Sequence, residues 1–202
     1  AIDTMGSTGD GKEPGFRSGF PVDMQIYTRR AGLNKINSTR LNQGEYLLTD
    51  LSTAEASTSS EQFDYNNGFY AGTSTSSTYI SWMWKRAPGF FDVVSTTSAS
   101  STVGHNLGVA PELAFFKRRD GDAGLGDWYA SAGLNGHAFL NKNNAWAGGS
   151  TLNIANLANA TTVNTGSAFI GNGYDMIIYL FATLDGVSKV GLVSHSGTTN
   201  VD

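Results

Sequence analysis

Apolar residues along the chain come in short runs broken by Gly, Asn, Ser and Thr. Residues 22–28, 45–50, 78–85, 90–96, 112–117, 127–131, 137–141, 168–171, 174–183 and 187–194 have the length and the β-branched and aromatic content of strands. No segment sustains a 3.6-residue period with caps beyond a turn or two; residues 152–159 are the stretch that fits a short helix as well as a strand. Alternation in 79–85 puts Ile80, Trp82 and Trp84 on one face and Tyr79, Ser81 and Met83 on the other. Residues 174–183 are apolar on both faces, the mark of a central strand covered on two sides. The pattern predicts an all-β protein, an antiparallel β-sandwich of jelly-roll-like architecture.

The strand pattern occurs twice. Phe20-Pro-Val-Asp-Met-Gln-Ile-Tyr-Thr-Arg-Arg-Ala-Gly32 matches Val109-Ala-Pro-Glu-Leu-Ala-Phe-Phe-Lys-Arg-Arg-Asp-Gly121, with Asp23 aligned to Glu112, an offset of 89. Tyr46-Leu-Leu-Thr aligns with Ala138-Phe-Leu-Asn at an offset of 92, and Ile80-Ser-Trp-Met-Trp with Ile177-Ile-Tyr-Leu-Phe at 97. A rising offset places insertions in loops, where they are tolerated. The expected organisation is an extended arm or linker at 1–19 and two related β units at 20–90 and 91–193. A stretch at 194–202 opens a further repeat or a tail, because Val190-Gly-Leu-Val-Ser-His-Ser-Gly-Thr-Thr echoes Val93-Val-Ser-Thr-Thr-Ser-Ala-Ser-Ser-Thr. That echo leads us to expect a segment of a longer protein.

Composition narrows the function. Charged residues make up 15%, the formal net charge is −4, and neither sign forms a long run, which argues against nucleic acid as a partner. The absence of Cys excludes disulfides, thiol nucleophiles, iron–sulfur clusters and Cys-ligated zinc, and three His are too few for a His-rich metal site. No apolar stretch approaches the ~20 residues of a membrane-spanning helix, so membrane insertion is not expected. The first residues lack the basic and apolar regions of a signal peptide. No cofactor is expected.

Several groupings could carry chemistry, each with a plainer reading. Gly6-Ser-Thr-Gly-Asp-Gly-Lys12 matches seven positions of a phosphate-binding loop, but Glu13 stands where the Mg²⁺-binding hydroxyl belongs and Pro14 follows. A flexible Gly-rich arm is preferred. Asp120, Asp122 and Asp127 could supply oxygens to Ca²⁺, although no Glu closes an EF-hand loop and the first unit has Ala31 where the second has Asp120. Arg29-Arg30 and Arg118-Arg119 could bind sulfate or phosphate on an acidic glycan; the plainer account is one Arg paired within the fold and one solvated. His105, His137 and His195 come with no Gly-x-Ser-x-Gly elbow, and nothing in the spacing of Glu45, Glu61 and Glu112 selects a glycosidase pair. Trp82 and Trp84 read as core. Trp128 and Trp146 lie beside Gly and Asn, and with Tyr129 they are candidates for contact with a glycan or another subunit, a place in the core or at a subunit interface being favoured over the glycan. Asn37-Ser-Thr39 and Asn159-Ala-Thr161 fit the N-glycosylation pattern, which chance produces in such a composition.

Ala87-Pro-Gly-Phe-Phe-Asp-Val-Val, His105-Asn-Leu-Gly-Val-Ala-Pro-Glu-Leu and Tyr179-Leu-Phe-Ala-Thr-Leu-Asp-Gly-Val-Ser-Lys-Val-Gly carry a resemblance. They are similar to an uncharacterised repeat domain of large virion proteins of tailed phages, notably cyanophages and other marine phages. The resemblance extends over about 90–193 and fades over 20–85; Trp128-Tyr129 matches an aromatic pair of the family. It implies a non-enzymatic structural or adhesive part of the phage particle: a tail fibre, spike or head-decoration protein. The partners implied are copies of itself, commonly as trimers, other virion proteins and a host-surface glycan, and the implied location is the virion. No catalytic residues come with the resemblance. The alternative is a carbohydrate-binding, lectin-like module; a depolymerase ranks third.

Overall fold

The strands assemble twice in one order. The computed structural model describes residues 2–5, 14–29, 34–71, 79–97, 102–120, 126–133, 136–148, 152–165 and 174–191. The first unit holds β1 (Ile2–Met5), β2 (Phe16–Arg17), β3 (Met24–Arg29), β4 (Ile36–Thr39), β5 (Glu45–Leu48), β6 (Ala56–Ser57), β7 (Glu61–Gln62), β8 (Gly68–Ala71) and β9 (Tyr79–Trp84). The second holds β10 (Phe91–Thr96), β11 (Thr102–Gly104), β12 (Leu113–Arg118), β13 (Tyr129–Ala132), β14 (Gly136–Phe139), β15 (Ala147–Gly148), the one-turn helix α1 (Ile154–Leu157), β16 (Thr162–Asn164) and β17 (Met176–Phe181). One large sheet runs β1-β9-β3-β4-β5-β6 and the other β10-β17-β12-β13-β14-β15; a small sheet, β2-β8-β7 or β11-β16, accompanies each. All pairings between these strands are antiparallel. In both units the first strand pairs with the last and the last with the third, as in a jelly roll. The middle strands then continue the same sheet as a meander.

The register repeats as well. Met24 faces Trp84 and Arg29 faces Tyr79; Leu113 faces Phe181 and Arg118 faces Met176, the same pairs 89 and 97 positions on. In the small sheets Phe16 faces Phe69 and Val103 faces Val163. The turns that end the units also match. Phe90 N–H donates to Ala87 O (3.1 Å) and Val187 N–H to Leu184 O (2.9 Å). Gly89 and Gly186 take φ of 74° and 75°, a left-handed conformation that suits glycine. An acidic side chain closes each unit: Asp23 accepts from Arg86 N–H (2.7 Å) and Glu112 from Thr183 N–H (3.2 Å).

Three expectations change. Glu45 pairs with Ser57 and Gly136 with Gly148, so Tyr46 corresponds to His137 at an offset of 91 and not to Ala138. The one-residue difference matters because side chains alternate between faces. The segment expected as an arm is extended but integral: β1 pairs with β9, and Phe16, 1% exposed, stacks on Phe69 with ring centres 5.1 Å apart. Residues 184–188 form the unit-ending turn in place of the start of a strand, because Gly186 turns the chain there. The strand expected at 168–171 and the possible repeat start at 194–202 lie outside the described residues, and 154–157 resolves to the helix.

Four layers result. Each small sheet covers the inner face of its own large sheet. Phe16, Tyr27, Phe63, Phe69 and Met83 fill the first inner core; Val94, Phe116, Leu152, Val163, Ile178 and Leu180 fill the second. The outer faces of the large sheets meet in a third core, where Met24 and Leu47 of the first unit pack with Phe91, Val93, Trp128, Ile177 and Tyr179 of the second. Each such side chain contributes about 1.5–3 kcal/mol by leaving water.

The two inner cores differ in polarity. Gln25, Ser38 and Ser81 are fully buried in the first, and Gln25 Oε1 and Nε2, Ser38 Oγ and Ser81 Oγ have no hydrogen-bond partner among the described residues. The positions equivalent to Gln25 and Ser81 carry Ala114 and Ile178, and Ser131, equivalent to Ser38, accepts from Ile154 N–H (2.9 Å). An unpaired buried hydroxyl costs about 1–3 kcal/mol. Ser81→Ala is therefore expected to stabilise the protein by ~1 kcal/mol, read as a higher urea midpoint at unchanged slope; a lower midpoint would show that the hydroxyl is hydrogen-bonded.

Candidate functional site

A cleft of about 330 Å³ opens between the two large sheets beside the shared core. The ends of β9 and β17 bring Trp84 and Phe181 to it, β3 brings Met24 and Ile26, and β12 brings Phe115. Its lips are chemically unequal. The first unit supplies Lys35, Asn37, Thr49 and Asp50; the equivalent positions of the second carry Trp128, Ala130, Leu140 and Asn141, of which Trp128 and Leu140 line the cleft. Duplication followed by divergence has thus put a polar edge opposite an aromatic wall.

The polar groups are mostly engaged with each other. Lys35 Nζ lies 3.7 Å from Asp50 Oδ2, and Lys35 N–H donates to Asp50 Oδ1 at 3.2 Å. Asn37 Nδ2 donates to Gln25 O at 3.0 Å, while its Oδ1 accepts from the Tyr179 hydroxyl, so a side-chain bond joins the two units. Burial raises the Tyr179 pKa well above its ordinary value; Arg119 opposes the shift and Glu55 adds to it, and the hydroxyl stays protonated.

The residues singled out from sequence do not converge on one site. Trp128 is 2% exposed; it stacks on Tyr179 (5.6 Å, 27°) and donates from Nε1 to Leu48 O at 2.8 Å, across the unit boundary. Tyr129 faces the second inner core, where burial, and secondarily Asp127, raises its pKa against the effect of Arg118. Trp146, 38% exposed, lies over Gly136, where an added Cβ would come within 2.6 Å of the indole nitrogen. Arg118 is buried over the Tyr174 ring (3.3 Å to its centre), with Nε 3.2 Å from Asp120. Its counterpart Arg29 lies over Tyr79 at 5.4 Å and bonds its hydroxyl at 3.1 Å. Arg119 joins the units through Glu55 (2.8 Å) and donates to Ser95 Oγ at 3.1 Å. Lys117, which no motif flagged, is fully buried and donates to Thr53 O (2.8 Å), Ser52 O (3.4 Å) and Arg118 O (2.9 Å). Only the duplicated register reveals that the Lys117 face meets the other unit.

The remaining candidates are mostly structural. The Asp127 carboxylate accepts from Asn141 (2.9 Å) and Lys142, and Asp122 lies outside the described residues. Among the described residues no His, Asp and Glu group has metal-site geometry. Residues 6–12, Arg30 and His195 also lie outside the described residues. His105 clamps β11 to β16: Nδ1 accepts from Leu107 N–H (3.2 Å), so Nε2 carries the proton and donates to Asn159 O (3.0 Å). Glu61 accepts from the Tyr27 hydroxyl (2.8 Å), whose pKa is raised by burial first and by Glu61 second. Glu45 accepts from Ser57 (3.1 Å). Trp82 and Trp84 are half-buried, Asn37 is buried and Asn159 is exposed.

His137 gives a pH dependence. It is 2% exposed against Tyr129 and Phe139, and burial lowers its pKa below the ordinary 6.5. The unfolded chain then binds the proton more readily than the folded one. This contribution to stability is complete above pH ~6.5 and is lost as pH falls through the lowered value. Urea midpoints between pH 8 and 5 are expected to drop less in His137→Phe than in the parent; equal slopes would exclude His137 as the cause.

Fold and site together define an internally duplicated all-β sandwich with an aromatic cleft between its two large sheets. The chain belongs to the DUF7483 family, described as a domain of unknown function (DUF7483), whose model matches residues 19–202. That span includes β3 through β17 and so most of both units. No curated protein and no solved structure matches the chain.

Proposed function

We propose that the chain is a non-enzymatic structural component of a tailed-phage virion, as a tail fibre, spike or head-decoration part that assembles with copies of itself and with other virion proteins. The observation that supports this reading most is how the buried polar side chains are used. Lys117, Arg119, Trp128 and Tyr179 reach across the unit boundary and bond the other unit. Such bonds fix one β unit against another; they leave these groups unavailable for turnover. Tryptic mass spectrometry and antibody labelling of washed particles of the encoding phage test the reading. Stoichiometric presence is expected, and absence from the particle would overturn it.

Host-glycan recognition is the second reading, favoured by the polar lip of Lys35, Asn37, Thr49 and Asp50 opposite the Trp128 side of the cleft. Host polysaccharide should then change tryptophan fluorescence saturably, and Trp84→Ala should abolish the response. An unchanged spectrum would dispose of this reading, and the appearance of new reducing ends would point instead to a depolymerase.

A further inference from the structure

We infer that the groove at the end of the second unit, between Glu112 and Gly133, is a docking site for an arginine side chain presented by a different protein.

The duplication shows what the second unit has given up. In the first unit the acidic residue that closes the sheet, Asp23, is held by two guanidinium groups: Arg40 Nε lies 3.4 Å and Arg86 Nε 3.6 Å from Asp23 Oδ1. Arg40 also donates from Nη2 to Val22 O at 2.9 Å, and Asp23 is 8% exposed beneath the pair. The register of β3 with β4 and β9 matches that of β12 with β13 and β17. Continued past the strand ends, it places Glu112 at the position of Asp23, Gly133 at that of Arg40 and Thr183 at that of Arg86. The carboxylate has been kept and both of its cations replaced.

The result is an open groove of about 570 Å³. Ala110, Pro111, Ala132, Gly133 and Ala155 give it small, mostly apolar walls, and Glu112 and Thr183 line it. Glu112 Oε2 accepts from the Thr183 N–H (3.2 Å) and the Thr183 hydroxyl (2.6 Å), which fixes the carboxylate; Oε1 accepts from none of the described residues. A Cβ added at Gly133 would meet no atom within 4 Å, so the side-chain position that Arg40 uses in the first unit is open in the second.

The occupant follows from charge and shape. Small apolar walls fit the methylene stem of a long side chain. A planar guanidinium can bond a carboxylate and a nearby backbone carbonyl together, as Arg40 does with Asp23 and Val22 O, whereas an ammonium is a point charge without that fork. The chain itself is a poor source. Arg17, Arg29, Arg40, Arg86, Arg118 and Arg119 all have partners within it. Residues 134–135 and 192–202, which adjoin the groove in sequence, include no Lys or Arg. Arginine from a different protein is the remaining complement. The inference deepens the proposed assembly with other virion proteins and rests on that reading only for which protein presents the arginine.

Two experiments on the full chain test it. Gly133→Arg combined with Thr183→Arg restores the arrangement of the first unit and should raise the urea midpoint; most of the gain should disappear when Glu112→Gln is added. In the second, the amide resonances of Glu112, Gly133 and Thr183 are followed while acetyl-Ala-Arg-Ala-amide is added. Saturable shifts at millimolar peptide are expected. Glu112→Gln should weaken binding at least about fivefold, the loss of one charge-assisted pair at an exposed site. It should keep the parent's circular dichroism, because the side chain is exposed. The double arginine variant should not respond. No saturable shift, equal binding of the matching lysine peptide, or a midpoint that fails to rise in the double variant would each overturn the inference. Self-association of the chain that is lost in Glu112→Gln would overturn it too, by giving the groove to a second copy. A chain present on particles but unresponsive to the peptide refutes this site alone; a responsive chain absent from particles refutes the virion reading alone.

Discussion

Trp128→Ala is expected to remove about 3–5 kcal/mol of folding stability, the range for truncating a fully buried large aromatic side chain. Three losses combine. The indole leaves a cavity in the shared core, Tyr179 loses its stacking partner, and Leu48 O loses the Nε1–H bond. Trp128→Phe separates them: it keeps most of the packing and loses the hydrogen bond, so its cost should be about 1–3 kcal/mol. Both are read from urea midpoints by circular dichroism. A loss under ~1 kcal/mol for the Ala variant would mean that the core between the units contributes little.

The second large effect is expected at Lys117. Its ammonium is fully buried and donates to Ser52 O and Thr53 O of the first unit and to Arg118 O of its own strand. Lys117→Met keeps the length and apolar bulk of the side chain and removes the donors. Replacing a buried charge by an apolar side chain can be neutral when all its partners are replaced with it. Here the carbonyls remain, and leaving them unpaired should cost about 2–4 kcal/mol. The neighbouring backbone bond from Glu55 N–H to Arg119 O (3.0 Å) ties the same loop to β12 and should weaken too, seen as faster amide exchange of Glu55. Unchanged stability and exchange would remove Lys117 from the account.

Much of this was legible in sequence where side-chain pattern alone decides the structure. The alternation in 79–85 placed Ser81 and Met83 opposite Trp82 and Trp84, and β9 has that arrangement. The two-sided apolar run at 174–183 became β17, paired on both edges and buried on both faces. The duplication was readable because Asp23/Glu112 and Gly89/Gly186 perform the same bond and the same turn. What escaped was structure specified by partners distant in sequence. Ile36–Thr39 reads as polar Ile-Asn-Ser-Thr, yet it is a strand because Asn37 bonds Gln25 and Tyr179 and Thr39 caps the following turn. Gly68–Ala71 is short and begins with a Gly; it pairs because Gly68 lacks a Cβ that would sit 2.0 Å from Phe16 O. The cleft escaped for a related reason. Its polar lip lies on β4 and the loop after β5, its aromatic wall on the second unit, and only the face-to-face packing brings them together.

Equilibrium urea unfolding, followed at once by tryptophan fluorescence and far-ultraviolet circular dichroism, tests most directly whether the two β units form one body through their common core. Trp128 reports on that core and the circular dichroism on the strands of both units. Superimposable curves with a single midpoint are expected. Two resolved transitions, with the fluorescence change complete before half of the strand signal is lost, would contradict it.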